Sequence, residues 1–90
     1  MIEGVMFDST GLEHYFYWQT QDRRTLKRIN QLIVDIIRNG ESDGIGHPEP
    51  LKHELSGKWS RTIDEKNRLV YSVTDDGILE IYHCKGHYNE

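Results

Sequence analysis

The chain has little of what builds specialised scaffolds. It has a single cysteine among 90 residues, which excludes a disulfide framework and a multi-thiolate metal site and suits a reducing cytosol. No stretch approaches the roughly 20 consecutive apolar residues of a membrane span, so no membrane partner is expected. The opening Met1-Ile2-Glu3-Gly4-Val5 lacks a basic n-region and an apolar h-region, so no secretory leader is expected and a cytoplasmic location follows. Repeats, low-complexity tracts and linkers are missing too, and a chain this short can build only one modest core. A large multidomain enzyme, a dinucleotide-binding fold and a secreted mini-protein are excluded. Basic charge is also scarce: the net charge of −4 argues against a general nucleic-acid coat protein.

What is present is a globular mixture, 36% apolar and 29% charged, which predicts one folded domain over residues 1–90. The basic groups are gathered in two places. Residues 1–47 carry five Lys/Arg against seven acids, residues 48–74 five against four, and residues 75–90 one against four. One cluster is Arg23, Arg24, Lys27, Arg28 and Arg38; the other is Lys52, Lys58, Arg61, Lys66 and Arg68. A local basic surface therefore remains available.

Ile2, Val5, Met6 and Phe7 read as a short strand, and Asp8-Ser9-Thr10 supply N-cap side chains for a helix carrying Leu12, Tyr15, Phe16 and Gln19. A second cap in Thr20-Gln21-Asp22 starts a stronger helix. Its Leu26, Ile29, Leu32, Ile33, Ile36 and Ile37 form one apolar stripe, and Asn39-Gly40 ends it. The stretch 40–50, with Gly44, Gly46, Pro48 and Pro50, predicts no regular structure. Period-two patterning then predicts strands over Lys58–Asp64, Arg68–Thr74 and Ile78–Lys85, with Asp75-Asp76-Gly77 turning the last hairpin. Leu69, Tyr71 and Val73, with Leu79 and Ile81, should face the helices. The order β-α-α-β-β-β is an α+β domain with a small, mainly antiparallel sheet packed on two N-terminal helices, one edge of which needs covering.

Three features can carry chemistry. Glu49 lies between Pro48 and Pro50, two residues without N–H groups and with fixed φ, so its carboxylate is either a held functional group or a solvated acid in a stiff turn. Arg68 opens a strand; its guanidinium fork suits phosphate, and equally a salt bridge to Asp64 or Glu65. The run His83-Cys84-Lys85-Gly86-His87-Tyr88 is the densest cluster. Gly86 lets the chain bend and present His87, an imidazole suited to giving or taking a proton, beside Tyr88, which can stack on a base; the alternative is a frayed tail. His83 shares a face with Leu79 and Ile81 and reads as a packed histidine. His83, Cys84 and His87 are poorly spaced for tetrahedral zinc. Lys58 and Arg61 alternate with Trp59, a mix that suits RNA or a half-exposed strand. Neither a Gly-x-Ser-x-Gly nucleophile elbow nor a lysine-bearing phosphate loop occurs. A fixed carboxylate, an arginine and a terminal His-Tyr pair together suit general acid–base cleavage of a phosphodiester.

The runs His47-Pro48-Glu49-Pro50-Leu51-Lys52-His53, Leu55-Ser56-Gly57-Lys58-Trp59-Ser60-Arg61, Arg68-Leu69-Val70-Tyr71 and Cys84-Lys85-Gly86-His87-Tyr88 resemble, in order and spacing, the YoeB (Txe) toxins of the RelE superfamily. Tyr17-Trp18-Gln19, Asp22-Arg23-Arg24 and Ile29-Asn30 with Leu32-Ile33 extend the resemblance to about residues 7–88. It implies a RelE-like fold and a ribosome-dependent mRNA endoribonuclease that uses no metal or cofactor. It also implies neutralisation by a YefM-type antitoxin, operator DNA contacted only through the antitoxin complex, and homodimers in some relatives. By resemblance Glu49 is the general base, His87 the general acid, Arg68 the phosphorane-stabilising cation and Tyr88 a substrate-positioning aromatic. Lys52 and Arg61 are implied to hold RNA. Thr62 departs from the pattern where relatives often carry a second arginine, which predicts weaker RNA contact there, and the acidic charge balance is unusual for a ribosome-directed enzyme. Two other readings are a non-catalytic toxin-fold module acting with an antitoxin in operon autoregulation, and a ribosome-independent RNase.

Overall fold

A computed structural model describes residues 1–88. Two helices, α1 (Ser9–Gln21) and α2 (Arg23–Asn39), pack on one face of a five-stranded sheet formed by β1 (Gly4–Phe7), β2 (Glu49–Pro50), β3 (Trp59–Thr62), β4 (Arg68–Val73) and β5 (Ile78–His83). The spatial order is β1-β5-β4-β3-β2. β1 runs parallel to β5, and the other three pairings are antiparallel. The expected α+β architecture is present, with one strand more than the pattern predicted. Among the described residues no helix is long and apolar enough to cross a membrane.

Local chemistry places each boundary. Asp8 caps α1 by accepting from the Gly11 amide at 3.0 Å, and its own N–H donates to Ile81 O at 3.0 Å, which ties the helix start to β5. Gly11 is required by the closeness of that packing: a Cβ there would stand 2.6 Å from Ile81 O. Asp22 accepts from the Arg24 and Thr25 amides and from the Thr25 hydroxyl, which starts α2 one residue after α1 ends. The Thr25 hydroxyl and amide hold the Asp22 carboxyl below its ordinary pKa. The cap's contribution is therefore present above the ordinary carboxylate pKa and lost as pH falls through the lowered one. Asp22→Ala is expected to lower the melting temperature at neutral pH, and Asp22→Asn, which still accepts, to recover most of that loss.

The stripe of α2 covers the sheet through Ile29, Leu32 and Ile36, all fully buried, while Ile37 at its far end stays exposed. Leu69, Tyr71, Leu79 and Ile81 meet it from the sheet, as the alternation requires. Two details depart from the sequence expectation. Glu49 and Pro50, placed in an irregular stretch, form β2, paired to Ser60 and Trp59. Proline is tolerated there because β2 is an edge strand with a side that needs no donor. β5 ends at His83, short of Lys85. Its pairing with β4 shifts between Val70↔His83 and Tyr71↔Ile81, leaving Tyr82 as an extra, bulged residue. Beyond the strand the Cys84 backbone binds α1, its N–H donating to His14 Nδ1 at 3.1 Å and its carbonyl accepting from Trp18 Nε1 at 2.8 Å.

Candidate functional site

The two faces of the sheet have different chemistry. Trp59, Arg61 and Ile63 alternate toward the helices, while Lys58, Ser60 and Thr62 alternate away from them. Cross-strand pairing extends the open face: Glu49 stands opposite Ser60, Ser60 opposite Val70, and Thr62 opposite Arg68. The C-terminal tail crosses this face. Tyr88 Oη lies 3.1 Å from Ser60 Oγ and donates to Glu49 Oε1 at 3.4 Å, and the His87 and Tyr88 rings are 6.3 Å apart. Glu49 and His87 are exposed, Arg68 and Tyr88 half-buried, and Ser60 buried. A carboxylate, a phenol, an imidazole and a guanidinium, separated by up to 39 positions in sequence, thus share one open surface.

Each is held differently. The Pro48-Glu49-Pro50 backbone is pinned by the β2–β3 pairing, continued by Leu51 N–H donating to Lys58 O at 2.9 Å. Arg68 Nη1 donates to the carbonyls of Asp64 at 2.5 Å and Asn67 at 3.1 Å. The sequence alternatives for Arg68 named the Asp64 carboxylate; it is the Asp64 carbonyl that the side chain binds. His87 Nε2 lies 3.3 Å from Glu65 O. Lys52 is exposed three residues beyond Glu49, at the entrance to a single 3₁₀ turn (His53–Leu55). Lys58 Nζ sits 4.2 Å from the centre of the Tyr82 ring, and Tyr82 Oη lies 2.8 Å from Ser72 Oγ; both residues belong to the open face.

Arg61 is a correction. The RNA-holding role expected of it fails because its side chain is fully buried on the helix face. Nε donates to Tyr71 Oη at 2.9 Å, Nη1 to Asp35 Oδ2 at 2.5 Å and Ile45 O at 3.0 Å, and Nη2 to Gly40 O at 2.9 Å and Asp43 O at 2.7 Å. All five N–H donors of the guanidinium are used inside the protein. They gather the 40–45 stretch that leads into Glu49, so Arg61 serves the site from beneath. Lys58 and Arg68 are the cations placed on the open face.

Two nearby groups are chemically quiet. Burial pushes the Cys84 thiol up to about 12, so it carries no thiolate at neutral pH. His14 is held below its ordinary pKa, first by burial and then by His83 and Lys85, which fits an acceptor that must be neutral to receive the Cys84 N–H. Sequence reasoning missed Ser60 and Asn67, and named Asp64 only as an ion-pair alternative for Arg68. Ser60 gives no signal in the sequence except its parity with Lys58; Asp64-x-x-Asn67 has the spacing of an Asx-type turn and could have been read.

A family model for the YoeB-like toxin of bacterial type II toxin–antitoxin systems matches residues 7–88. Toxin YoeB of Escherichia coli is 55% identical over 84 residues, 93% of this chain and 98% of that protein. The YoeB chain of a heterotetrameric YoeB–YefM complex from Staphylococcus aureus superposes with a TM-score of 0.88 at 42% identity, covering 98% of this chain and 99% of that one. A YoeB dimer structure from the same organism gives 0.88 and 42%, covering 98% and 100%.

Proposed function

The chain belongs to the YoeB-like toxins of bacterial type II toxin–antitoxin systems, and from that premise we propose that it is an endoribonuclease that cuts mRNA on the ribosome by general acid–base catalysis. One observation supports the reading above the others: Glu49, Arg68, His87 and Tyr88 occupy a single open face of the sheet, with Lys58 on the same face.

The Glu49 carboxylate takes the proton of a ribose 2′-OH, and the oxygen attacks the adjacent phosphorus. Negative charge grows on the phosphoryl oxygens, where the Arg68 guanidinium meets it. His87 gives a proton to the departing 5′-oxygen, leaving a 2′,3′-cyclic phosphate and a new 5′-hydroxyl end. Tyr88, held by Ser60, supplies a ring on which a base can stack. Acid and base each contribute roughly 10²–10⁴-fold, and a positioned charge donor about 2.7–4 kcal/mol. These residues supply acid, base and cation themselves, so the scheme invokes no metal. Naked RNA is a poor substrate for a chain of net charge −4, which is why the ribosome is written into the proposal. A YefM-type antitoxin is the proposed partner, and a homodimer the proposed assembly, by analogy with the Staphylococcus aureus proteins.

The test is a cell-free translation of a defined mRNA, with new 5′ ends mapped beside a matched reaction lacking ribosomes. Cuts confined to the codon in the decoding site and seen only with ribosomes are expected. Equal cutting of naked RNA would replace the proposal by a ribosome-independent RNase. Silence in both tubes would leave a non-catalytic module.

A further inference from the structure

We propose that Asn67 is a positioning residue whose carboxamide clamps the C-terminal tail at Gly86 and so sets where His87 and Tyr88 stand against Glu49 and Arg68. The inference rests on the catalytic reading above and names the part of the fold that assembles its site. The Gly86 N–H donates to Asn67 Oδ1 at 2.7 Å, and the Arg68 N–H donates to Gly86 O at 3.0 Å. Together they form a closed rung between tail and strand, with a side-chain oxygen standing where a backbone carbonyl would ordinarily accept. Gly86 itself has φ +80°, so the chain turns at the clamped residue, and His87 is the next one.

The carboxamide cannot turn over. Its Nδ2 donates to Asp64 Oδ1 at 3.0 Å and lies 3.2 Å from Oδ2, and Asp64 also accepts from the Lys66 and Asn67 amides at 2.8 Å each. A carboxylate only accepts, so it dictates that Nδ2 faces Asp64 and Oδ1 faces the tail. The Asn67 carbonyl in turn receives the Ile63 and Asp64 amides at 3.1 and 3.3 Å. The same short turn receives Arg68 Nη1 on two carbonyls and meets His87 at Glu65 O. Acid and cation are therefore referenced to one rigid piece of backbone. Without the clamp, Gly86 keeps one backbone bond, and the tail beyond it rests on the side-chain contacts of His87 and Tyr88 near the chain end, where fraying concentrates.

The experiment is single-turnover cleavage on mRNA-programmed ribosomes, combined with amide hydrogen exchange at Gly86 on the protein alone. Asn67→Ala is expected to slow cleavage about 10²-fold, the cost of misplacing a reacting group by an ångström. The ribosome concentration giving half-maximal rate and the melting temperature should not move, and Gly86 exchange should quicken. Asn67→Asp sets two carboxylates against each other and should be slower still. Adding Asp64→Asn to it restores a donor–acceptor pair of the opposite sense and should return cleavage to within about tenfold of wild type, a coupling that simple loss of stability would not produce. Asn67→Ala cutting at the wild-type rate, or the double variant remaining as slow as Asn67→Asp, would overturn the clamp. Should Asn67→Ala fail to fold, the Asn67→Asp variant and its double decide alone. If wild-type protein cuts nothing on ribosomes, the catalytic reading falls; the exchange measurement still judges the clamp, and unchanged Gly86 exchange in Asn67→Ala refutes it.

Discussion

Arg61→Ala is expected to cost about 3–5 kcal/mol of stability, the loss typical of removing one partner from a buried ion pair. A domain of this size has only about 5–15 kcal/mol in total, so a substantial unfolded population should appear near physiological temperature. The reason lies in what the guanidinium leaves behind. Asp35, the Tyr71 hydroxyl and the carbonyls of Gly40, Asp43 and Ile45 all lose a donor at once. Tyr71 Oη also donates to Glu41 O at 2.6 Å, so its displacement frees the same segment a second time. Arg61→Lys should recover only part of the loss, because three donors on one nitrogen cannot reach five positions spread around a planar fork. Lys58→Ala, one strand position from Trp59 on the other face, should cost less than about 1 kcal/mol, the worth of an exposed cation–π contact. Urea melts of the three variants check the order.

The same pair sets an acid limb. Desolvation pushes the Asp35 carboxyl up, but the Arg61 guanidinium, the Ile45 amide and the Asn39 amide outweigh it and hold the group below its ordinary value. A depressed carboxylate contributes stability that is full above the unfolded-state pKa and disappears as pH falls through the folded one. Wild type should therefore lose stability on acidification in that window, and Arg61→Ala should show less of the loss, because its native state favours the ionised carboxylate through the Ile45 and Asn39 amides alone.

Why Arg61 deceived the sequence reading is instructive, since the information was present. Trp59, Arg61 and Ile63 share a parity, and two of the three are apolar residues that pack on the core. Parity alone places the side chain inside; the RNA-holding role came from the resemblance to a family, and an arginine is almost never fully buried without a partner. The partner, Asp35, lies 26 positions away on a helix and leaves no mark on local pattern. The helices, their caps at Asp8 and Asp22 and the Asp75-Asp76-Gly77 hairpin were legible because capping, periodicity and turn chemistry act within a few residues. β2 was illegible for the opposite reason: two residues, one of them proline, carry no periodicity. The parallel pairing of β1 with β5 and the shift at Tyr82 depend on which strands meet. Glu49, His87 and Tyr88 stand out in their local sequence context and take their roles from the resemblance to a family; their meeting on one face is a property of the fold.

Glu49→Gln is expected to slow ribosome-bound cleavage by roughly 10²–10⁴-fold, the usual worth of a general base, with the fold intact. The amide is isosteric, keeps an oxygen to accept from Tyr88 Oη, and leaves the β2–β3 backbone pairing untouched. It cannot take up a proton. Because Glu49 is exposed, the substitution empties no cavity and strands no buried partner, so the melting temperature should match wild type. A group that acts only as the 2′-oxygen loses its proton lowers the rate constant and the second-order rate constant together and leaves ribosome affinity alone. Tyr88→Phe isolates the remaining contact: it keeps the ring for stacking, removes the hydroxyl from Ser60 and Glu49, and should cost far less. An mRNA with one 2′-deoxynucleotide at the cut position should resist wild type and Glu49→Gln alike, since the attacking oxygen is gone. Rapid cleavage of that message would end the 2′-OH mechanism, and a wild-type rate in Glu49→Gln would move the base elsewhere on the open face. Growth arrest that persists in Glu49→Gln without any cleavage would mean that occupation of the ribosome, and not cutting, is what the surface achieves.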